Sequence, residues 1–401
     1  MGVDGIGRET PPGATRDATP GATRDATPGA DRDALRILVV NAGSSSIKLR
    51  VLEGERLSYS HDVPAPLGVA DAAPVAEAVR DAGRLDAVGH RIVHGGDRFR
   101  GPVLIDDRVL ARITALTDLA PLHQPRSLAA LHEVAELLPG VPQVACFDTA
   151  FHATIPAAAA TYALPAEWRR RWPLRKFGFH GLSHAYASRR ATELLGAPPR
   201  RLITCHLGAG ASLAAILDGR SVDTTMGFTP LDGLVMATRS GAVDPGLVLW
   251  LEEHAGTPPA ELAATLEHRS GLLGLTGAAD LREVLVAAAA GEPAACLGVD
   301  VYLHRLRTLV GAMAAALDGL DALVFTGGVG ENSAEIRRRT AAGLGHLGVA
   351  LDEERNDSPA TGDREIGDPA GPVRSLVVIS REDLEIARQV RDTLPGPAAS
   401  A

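Results

Sequence analysis

Short apolar runs alternate along the chain with stretches in which apolar residues recur every three or four positions. The apolar runs predict buried strands at 36–40, 86–93, 141–147, 201–206, 323–325 and 373–379. The periodic stretches predict helices at 69–82, 108–117, 126–138, 183–195, 245–255, 259–269, 281–290, 292–317 and 382–394. Strands and helices therefore alternate through most of the chain, which favours an α/β fold.

Two of the strands continue into a hairpin, one in each half of the chain. The turn after each strand consists of small residues, and the interval from Gly43 to Gly54 recurs from Gly208 to Gly219. This repetition predicts two copies of one half-domain, each a mixed sheet with helices. Small turn residues also leave room for an anion to approach the backbone N–H groups. The hairpin strands are predicted at 47–52 with 56–61, and at 211–217 with 220–225.

The composition excludes several classes of protein. A chain of 401 residues fits two domains, and a formal net charge of −9 argues against a nucleic-acid-binding protein. The sequence has no run of about twenty apolar residues that would predict a membrane span, and the polar N-terminus lacks the apolar stretch of a signal peptide. The three cysteines form neither a disulfide framework nor a zinc motif, which favours a reducing cytoplasm.

An eight-residue repeat precedes the first predicted strand. Residues 12–19 and 20–27 have the same sequence, and 28–35 is a decayed third copy. Such Pro- and Gly-rich sequence contains too few apolar residues to build a core. We therefore expect residues 1–34, and the similar tail at 395–401, to be disordered.

Common nucleotide-binding motifs are missing from the sequence. Neither Lys48 nor Lys176 follows a glycine, so the chain has no Walker A loop. The protein-kinase motifs are absent, and Gly208-x-Gly210 lacks the rest of a dinucleotide fingerprint. A histidine pair at 180 and 184 has the spacing of two zinc ligands on a helix, but no third ligand accompanies it.

Charged residues at the ends of predicted strands indicate phosphoryl transfer instead. Arg91, Asp148, His180 and Arg239 each lie beside small or aromatic residues at a strand end or in a loop. Phosphoryl transfer needs cations to neutralise spreading charge and a metal held by oxygen ligands. Each residue alone is equally consistent with a solvated charge, but the four together favour a functional site.

Rare residue types occur in the same motifs. Lysine is found only at Lys48 and Lys176, and asparagine only at Asn41, Asn332 and Asn356. In a chain so rich in Ala and Arg, a surviving lysine or asparagine is a modest indication that the side chain matters. Three of these five residues lie in Gly-rich motifs, at positions 41, 48 and 332.

These motifs, taken in order along residues 35–394, resemble those of the acetate kinase family, within the sugar-kinase, heat-shock-70 and actin superfamily. The stretch at 224–233, Thr-Thr-Met-Gly-Phe-Thr-Pro-Leu-Asp-Gly, carries much of the resemblance. The resemblance implies an α/β fold of two duplicated ribonuclease-H-like (actin-like ATPase) domains with a cleft between them. The first domain would comprise 35–150 and 383–394, and the second 151–382.

The resemblance also implies a role for each matching residue. Arg91 and Arg239 would bind the carboxylate substrate. His180 and Arg239 would contact the phosphoryl group while it is transferred, and Asp148 would lie near the metal. His123 would be a supporting histidine. The other matching positions are Val93, Leu122, Phe179 and Pro230 for the small apolar pocket; Asn41 and Glu382 for the metal; and, for ATP, Lys48, His206, Leu207, Gly208, Ala209, Gly210, Asp280, Leu281, Arg282, Gly328, Val329, Gly330, Glu331 and Asn332.

The implied reaction is reversible phosphoryl transfer from ATP to acetate, with Mg²⁺ or Mn²⁺, in a cytoplasmic homodimer that binds neither nucleic acid nor membranes. Acetate is ionised near neutral pH, so its attack on the γ-phosphorus needs no general base. Direct in-line transfer is the corresponding hypothesis. Three alternatives remain open: a propionate kinase, a non-catalytic actin-like module that binds ATP, and a family member without turnover.

Four positions depart from the family pattern. Ala209 and Gln124 each stand where an asparagine is usual, Phe177 replaces a common tyrosine, and Ala242 occupies a position that is often polar. The missing amide at position 209 removes a possible phosphate contact. The affinity for nucleotide, or the choice of phosphoryl donor, is therefore the property in which this protein is expected to differ from the family.

Overall fold

The structure is a computed structural model that describes residues 30–43, 46–65, 72–120 and 124–395. Most of the two predicted tails, together with Leu122 and His123, lie outside the described residues.

The first described element is α1 (Ala30–Asp33), a single helical turn that lies against the C-terminal end of the chain. Arg32 donates hydrogen bonds to the carbonyl groups of Arg391 and Leu394, at 3.0 and 3.1 Å. These bonds give the turn fixed partners in an otherwise apolar-poor segment. The folded part therefore begins a few residues before the predicted start at residue 35.

Six strands from the first part of the chain form one mixed sheet: β1 (Arg36–Ala42), β2 (Ser46–Glu53), β3 (Arg56–Pro64), β4 (Ala87–Ile92), β5 (Val103–Leu104) and β6 (Gln143–Phe147). Their order is β3-β2-β1-β4-β6-β5. The pairs of β1 with β4 and of β4 with β6 are parallel, whereas β2, β3 and β5 each pair antiparallel to a neighbour. The parallel strands bring their carboxyl ends to one edge of the sheet, where ligands bind in folds of this type.

The second sheet repeats the first strand by strand: β7 (Arg201–Leu207), β8 (Ala211–Leu217), β9 (Arg220–Thr224), β10 (Ala322–Thr326), β11 (Arg364–Glu365) and β12 (Arg374–Val377). Its order, β9-β8-β7-β10-β12-β11, is the order of the first sheet with each strand replaced by its counterpart. The first turn is closed by a bond from the Gly43 N–H to the Ser46 carbonyl, and the second by one from Gly208 to Gly210. The duplication predicted from the glycine spacing is confirmed.

Helices cover both sheets and fill the space between them. After α1 they are α2 (Ala72–Asp81), α3 (Asp107–Thr114), α4 (Gln124–Leu137), α5 (Ala157–Ala160), α6 (Ala166–Arg171), α7 (Gly181–Leu195), α8 (Pro245–Ala255), α9 (Pro259–His268), α10 (Gly271–Thr276), α11 (Leu281–Ala289), α12 (Pro293–Leu317), α13 (Gly327–Asn332), α14 (Ala334–Ala342), α15 (Glu353–Asp357) and α16 (Glu382–Thr393). Short 3-10 turns lie at Thr117–Leu119, Ala150–Thr154 and Gly345–Leu347.

Several helices begin where the sequence supplies a capping side chain. The carboxylates of Asp106, Asp244 and Asp280 and the hydroxyl of Ser333 accept hydrogen bonds from backbone N–H groups in the first turns of α3, α8, α11 and α14. Such caps satisfy N–H groups that have no partner within the helix. They fix the starts of α11 and α14, which border the site.

One apolar core joins the two sheets through α7 and α16. It combines Ile37, Val39, Ala87, Val144 and Cys146 of the first sheet with Leu202, Ala214, Ile216, Ala322, Val324 and Leu376 of the second. At Gly89 on β4, an added Cβ would lie 2.5 Å from Cγ2 of Ile386 on α16. The glycine lets the helix approach the strand closely, so α16 packs against the first sheet although it is the last of the described helices. Within the described residues, no helix is both long and apolar enough to cross a bilayer.

Candidate active site

Three neighbouring cavities line the cleft between the sheets, with volumes of about 180, 390 and 920 Å³. We name them, after the ligands that the resemblance implies, the carboxylate cavity, the metal-side cavity and the nucleotide cavity. The carboxylate cavity is lined by Ala42, Gly43, Arg91, Val93, Arg126, Asp148, Phe179, His180, Gly210, Pro230 and Arg239. It therefore brings together all four predicted catalytic residues.

A polar network forms where β1, β4 and β6 end. Nε and Nη2 of Arg91 donate to the two carboxylate oxygens of Asp148, at 3.2 and 2.5 Å. Nη1 of Arg91 approaches Oδ1 of Asn41 at 3.4 Å, and Nδ2 of Asn41 donates to Oε2 of Glu382 at 3.0 Å. The network joins three strands of the first sheet to the first residue of α16. The predicted metal residues and the predicted carboxylate-binding arginine therefore lie in direct contact.

Burial dominates the electrostatics of this network. Asp148 is only 1% exposed, and desolvation raises its pKa, with Arg91 opposing and Glu382 adding to that rise. Burial lowers the pKa of Arg91, but the facing Asp148 and Glu382 more than offset this and raise it. The guanidinium therefore stays charged, and it is a fixed cation at the wall of the carboxylate cavity.

A tightly held loop positions His180. The His180 backbone adopts the left-handed region at φ 55°, and the next N–H, from Gly181, donates to the Asp148 carbonyl at 2.8 Å. A Cβ at position 181 would clash with that carbonyl oxygen. Nε2–H of His152 donates to the Phe179 carbonyl at 3.0 Å, because a carbonyl can only accept. The loop therefore holds a strained conformation at the site because its neighbours fix it from both sides.

The His180 imidazole lies in a cluster of buried histidines. Its Nδ1 is 3.0 Å from Oγ of Ser212, and its ring stacks on His206 with centroids 4.4 Å apart. Burial lowers the pKa of His180 well below its usual value, and His206, His184, Arg91 and Arg239 act in the same direction. The imidazole is therefore neutral near pH 7 and carries a single N–H.

Arg239 lies on the opposite wall, in the segment that connects β9 to α8. Its Nε forms an ion pair with Oε1 of Glu267 at 2.6 Å, and its Nη1 is 3.4 Å from the Pro230 carbonyl. A Cβ added at Gly210 would lie 3.4 Å from Nη1 of Arg239 and 3.3 Å from Nε2 of His180. These two nitrogens therefore flank the glycine at the end of the second hairpin turn.

The predicted apolar wall is present, and an unpredicted cation accompanies it. Val93, Phe179 and Pro230 line the carboxylate cavity as expected, whereas Leu122 lies outside the described residues. Arg126, in the first turn of α4, also lines this cavity. A signal for it exists in the sequence, because a cation in the first turn of a helix opposes the helix dipole.

The nucleotide cavity contains most of the predicted ATP residues. It is lined by Gly208, Ala209, Ala237, Thr238, Leu272, Ala279, Asp280, Leu281, Arg282, Leu285, Tyr302, Gly328, Val329, Asn332, Ser333, Ala334 and Glu335. The predicted residues Lys48, His206 and Glu331 line the metal-side cavity instead, together with Asn41 and Glu382. Gly210 lies at the carboxylate cavity, while Leu207 and Gly330 are packed in the interior.

The second hairpin turn has fewer backbone N–H groups free to bind an anion than its composition of small residues suggests. The Gly208 N–H is used within the turn, where it donates to the Gly210 carbonyl at 3.0 Å. The Ala209 carbonyl accepts from the Ala237 N–H at 3.1 Å. The Gly208 N–H is therefore already engaged within the turn, and the binding of phosphate by 206–210 stays a prediction.

Two departures from the family pattern have structural roles. The Gln124 side chain is fully buried, accepts from the His94 N–H at 3.2 Å and donates to the carbonyls of His94 and Ile113. Phe177 packs edge-on against the His94 ring, with centroids 4.5 Å apart. Both residues therefore contact His94, which follows Val93 in the chain.

The zinc interpretation has no support in the described part of the chain. The His184 nitrogens are 2.7 Å from Oγ1 of Thr204 and 2.8 Å from Oγ of Ser212. No group of three or more His, Cys, Asp or Glu residues with metal-binding geometry occurs among the described residues.

Comparison with known proteins identifies the family. A model of the acetokinase family matches residues 68–388. The acetate kinase of Thermosipho africanus is 42% identical over 396 residues, covering 89% of this chain and 97% of that protein. Two crystal structures, each 36% identical, cover 90% of this chain and 100% of their own: an acetate kinase from Porphyromonas gingivalis (TM-score 0.84) and a propionate kinase from Francisella tularensis (TM-score 0.82). These matches confirm the predicted fold, and the chain belongs to the acetokinase family.

Proposed function

We propose that the cleft catalyses reversible transfer of the γ-phosphoryl group from ATP to acetate, giving acetyl phosphate and ADP. One observation carries the proposal: Arg91 and Arg239, from the two halves of the molecule, line one small cavity together with His180. The principal barrier to this reaction is repulsion between an anionic carboxylate and an anionic phosphate. Two fixed guanidinium groups and an N–H donor lower that barrier by stabilising the charge that spreads in the transition state.

The residues beside the carboxylate cavity fit a magnesium ion. Asp148 and Glu382 carry carboxylates and Asn41 carries an amide oxygen, which are the hard ligands that Mg²⁺ prefers. In this structure the oxygens of Asp148 and Asn41 face Arg91, and the Asn41 NH₂ group faces Glu382. Protein sites for Mg²⁺ in phosphoryl transfer commonly use only one or two carboxylates, the remaining ligands being phosphate oxygens and water. A bound metal would neutralise charge on the phosphates. Mn²⁺ suits the same oxygen ligands.

The acceptor oxygen needs no proton removed from it. A simple carboxylic acid is ionised at neutral pH, so no residue has to act as a general base. Asp148 is engaged by Arg91 through both carboxylate oxygens, and its role is to orient that guanidinium and to face the metal. The reaction is then a direct in-line displacement.

We expect acetate to react faster than longer acids, because the apolar residues Val93, Phe179 and Pro230 line the carboxylate cavity. One additional methylene in an apolar pocket changes the free energy of the transition state by about 1–3 kcal/mol. Propionate is therefore expected to be a slower substrate rather than an excluded one.

A hydroxamate assay tests this proposal. Wild-type protein with ATP and Mg²⁺ should form acyl phosphate fastest from acetate, more slowly from propionate and least from butyrate. Arg91→Ala and Arg239→Ala should each lower kcat at least about a hundredfold in protein that is still folded, and each should also lower the urea midpoint, because a buried carboxylate, that of Asp148 or Glu267, loses this ion pair. Arg374→Ala is the matched control, because this arginine pairs with Glu365 at the far edge of the second sheet. Absence of acyl phosphate from all three acids would refute the activity.

We also infer a homodimer in the cytoplasm. The apolar residues Leu247, Leu249 and Trp250 on α8 are 49–58% exposed, and α8 contains no buried residue. An exposed apolar patch of this kind favours association with a second copy. All three cysteines are free, which suits a reducing compartment. Sedimentation of Trp250→Glu tests the dimer: the variant should be monomeric where the wild type is dimeric.

A further inference from the structure

A neutral His180 can assist the reaction only in one of its two tautomers. Nε2 is the nitrogen beside Gly210 and Nη1 of Arg239, so it faces the carboxylate cavity. Nδ1 faces the interior and Ser212. An N–H at Nε2 donates to a phosphoryl oxygen, whereas a lone pair at Nε2 repels it.

A chain of hydrogen bonds runs from Nδ1 of His180 into the core of the second half. Oγ of Ser212 lies 3.0 Å from Nδ1 of His180 and 2.8 Å from Nε2 of His184. Nδ1 of His184 lies 2.7 Å from Oγ1 of Thr204. Ser212, His184 and Thr204 are each 0% exposed, so water does not compete for these bonds.

Each hydroxyl and each neutral imidazole has one proton to donate. The hydrogen-bond chain can therefore be arranged in two ways that give every bond one donor and one acceptor. In the first, Thr204 donates to Nδ1 of His184, Nε2–H of His184 donates to Ser212, and Ser212 donates to Nδ1 of His180. His180 then carries its proton on Nε2. In the second arrangement every bond is reversed, and the His180 proton lies on Nδ1.

We propose that Ser212, His184 and Thr204 are positioning residues that hold His180 in its Nε2–H tautomer, with this nitrogen donating to the phosphoryl group in transit. The inference rests on the proposed role of His180 and extends it to three residues that do not line the carboxylate cavity. An anion at Nε2 selects the first arrangement, because only that arrangement gives it a donor. The buried position of His184 supports this, since burial and the neighbouring His152 and His206 lower its pKa and keep it neutral.

The adjoining histidine is held differently and does not take part. Nε2–H of His152 donates to the Phe179 carbonyl and its Nδ1 is 2.8 Å from Oγ of Ser221. Its tautomer is therefore fixed by a carbonyl group and is independent of His180. Ser221 therefore serves as a matched control. It is a buried serine that forms a hydrogen bond with His152, a histidine that does not belong to the hydrogen-bond chain.

Substitutions along the chain test the proposal by their effect on kcat. Loss of a hydrogen bond to a charged group corresponds to about a tenfold to hundredfold decrease in rate, and we expect that decrease for Ser212→Ala, with KM for acetate changed less than about twofold. Ser212→Thr keeps the hydroxyl and should recover most of the activity. Thr204→Val, which keeps the shape of the side chain, should give a smaller decrease that Thr204→Ser reverses.

Two controls separate this role from general stability. Thr340→Val removes another fully buried threonine hydroxyl, which has no hydrogen-bond partner within the described residues, and should leave kcat unchanged. Ser221→Ala should also leave kcat within about twofold, because its histidine is tied to a carbonyl. In a His180→Ala background, Ser212→Ala should have no further effect on kcat, because Ser212 acts only through His180.

The spectroscopic readout is the ¹⁵N resonance of the His180 ring, measured with Mg²⁺, acetate and a non-hydrolysable ATP analogue. The wild type should show Nε2 protonated and Nδ1 unprotonated. Ser212→Ala should show a larger share of the Nδ1–H tautomer, because the anion at Nε2 is then the remaining influence on the ring. A wild-type proton on Nδ1, an unchanged kcat in Ser212→Ala, or an equal loss in the His180→Ala background would each overturn the proposal. If His180→Ala itself leaves kcat unchanged, it is the assigned role of His180 that fails.

Discussion

Mild acid should destabilise this protein through its buried histidines. Burial lowers the pKa values of His90, His94 and His152 to about 4, against about 6.5 for an exposed imidazole. The unfolded chain therefore binds more protons between these values, and stability falls as the pH falls from about 6.5 towards 4. When the pH falls from about 7 to about 5.5, each of these histidines lowers the free energy of unfolding by about 1.2 kcal/mol.

The three together lower the free energy of unfolding by about 4 kcal/mol over this interval. His180 and His184, whose pKa values are also lowered, act in the same direction. A typical domain is stable by only about 5–15 kcal/mol, so the effect is a large part of the total. Ordinary carboxylates stay largely ionised down to about pH 5.5. Asp148, whose pKa burial raises to about 6, opposes the loss by less than about 1 kcal/mol, so the histidines remain the principal titrating groups.

Urea unfolding at the two pH values and constant ionic strength measures the difference directly. His90→Asn should reduce the pH-dependent loss by about 1.2 kcal/mol, whatever it does to stability at neutral pH. His132→Asn is the control, because His132 is exposed on α4 and the substitution should leave the loss unchanged. A loss below about 1 kcal/mol in the wild type would refute the reasoning, since it would mean that these imidazoles are protonated in the folded protein.

Three further predictions concern the cleft. Arg126→Ala should raise KM for acetate about twofold to fivefold, and more at low salt, because a cation at the cavity is lost. Ala209→Asn should lower KM for ATP about threefold to tenfold if an amide in this turn reaches phosphate, and an unchanged KM would show that it does not. Gly181→Ala should destabilise the fold by about 3 kcal/mol or more and depress kcat, because the new Cβ meets the Asp148 carbonyl; wild-type urea unfolding and kcat would contradict this.

The large features of the fold could be predicted because each has a local signal. Both hairpins follow from small turn residues and from Gly54 and Gly219, which adopt positive φ. The edge strands β5 and β11 could not be predicted, because two residues carry no periodicity. Helix α13 forms in spite of three glycines. Tertiary contacts hold it, since Arg337 donates to the carbonyls of Gly330 and Glu331.

The candidate site shows where local signals end. The positions of charged residues at strand ends predicted which side chains would lie together. They did not predict that Arg91 would donate hydrogen bonds to both carboxylate oxygens of Asp148. The rarity of lysine in the sequence did not show which of the two lysines lines a cavity of the candidate site and which one has a structural role. Lys48 lines the metal-side cavity, whereas Lys176 is bonded to Asp223 and to the Thr224 carbonyl. Such distinctions depend on contacts between residues that are far apart in the sequence.

The position of α16 has a consequence for how the chain is made. Ile386, Ala387 and Val390 of this helix complete the core against β1, β4 and β6, yet α16 is translated about 250 residues after β6. At about 5–20 residues per second, one face of the first sheet lacks that cover for roughly 12–50 s. During that time its apolar side chains are available to chaperones or to other nascent chains. A premature stop just before Glu382 would therefore leave the first half without part of its core, although every strand of both sheets had already been synthesised.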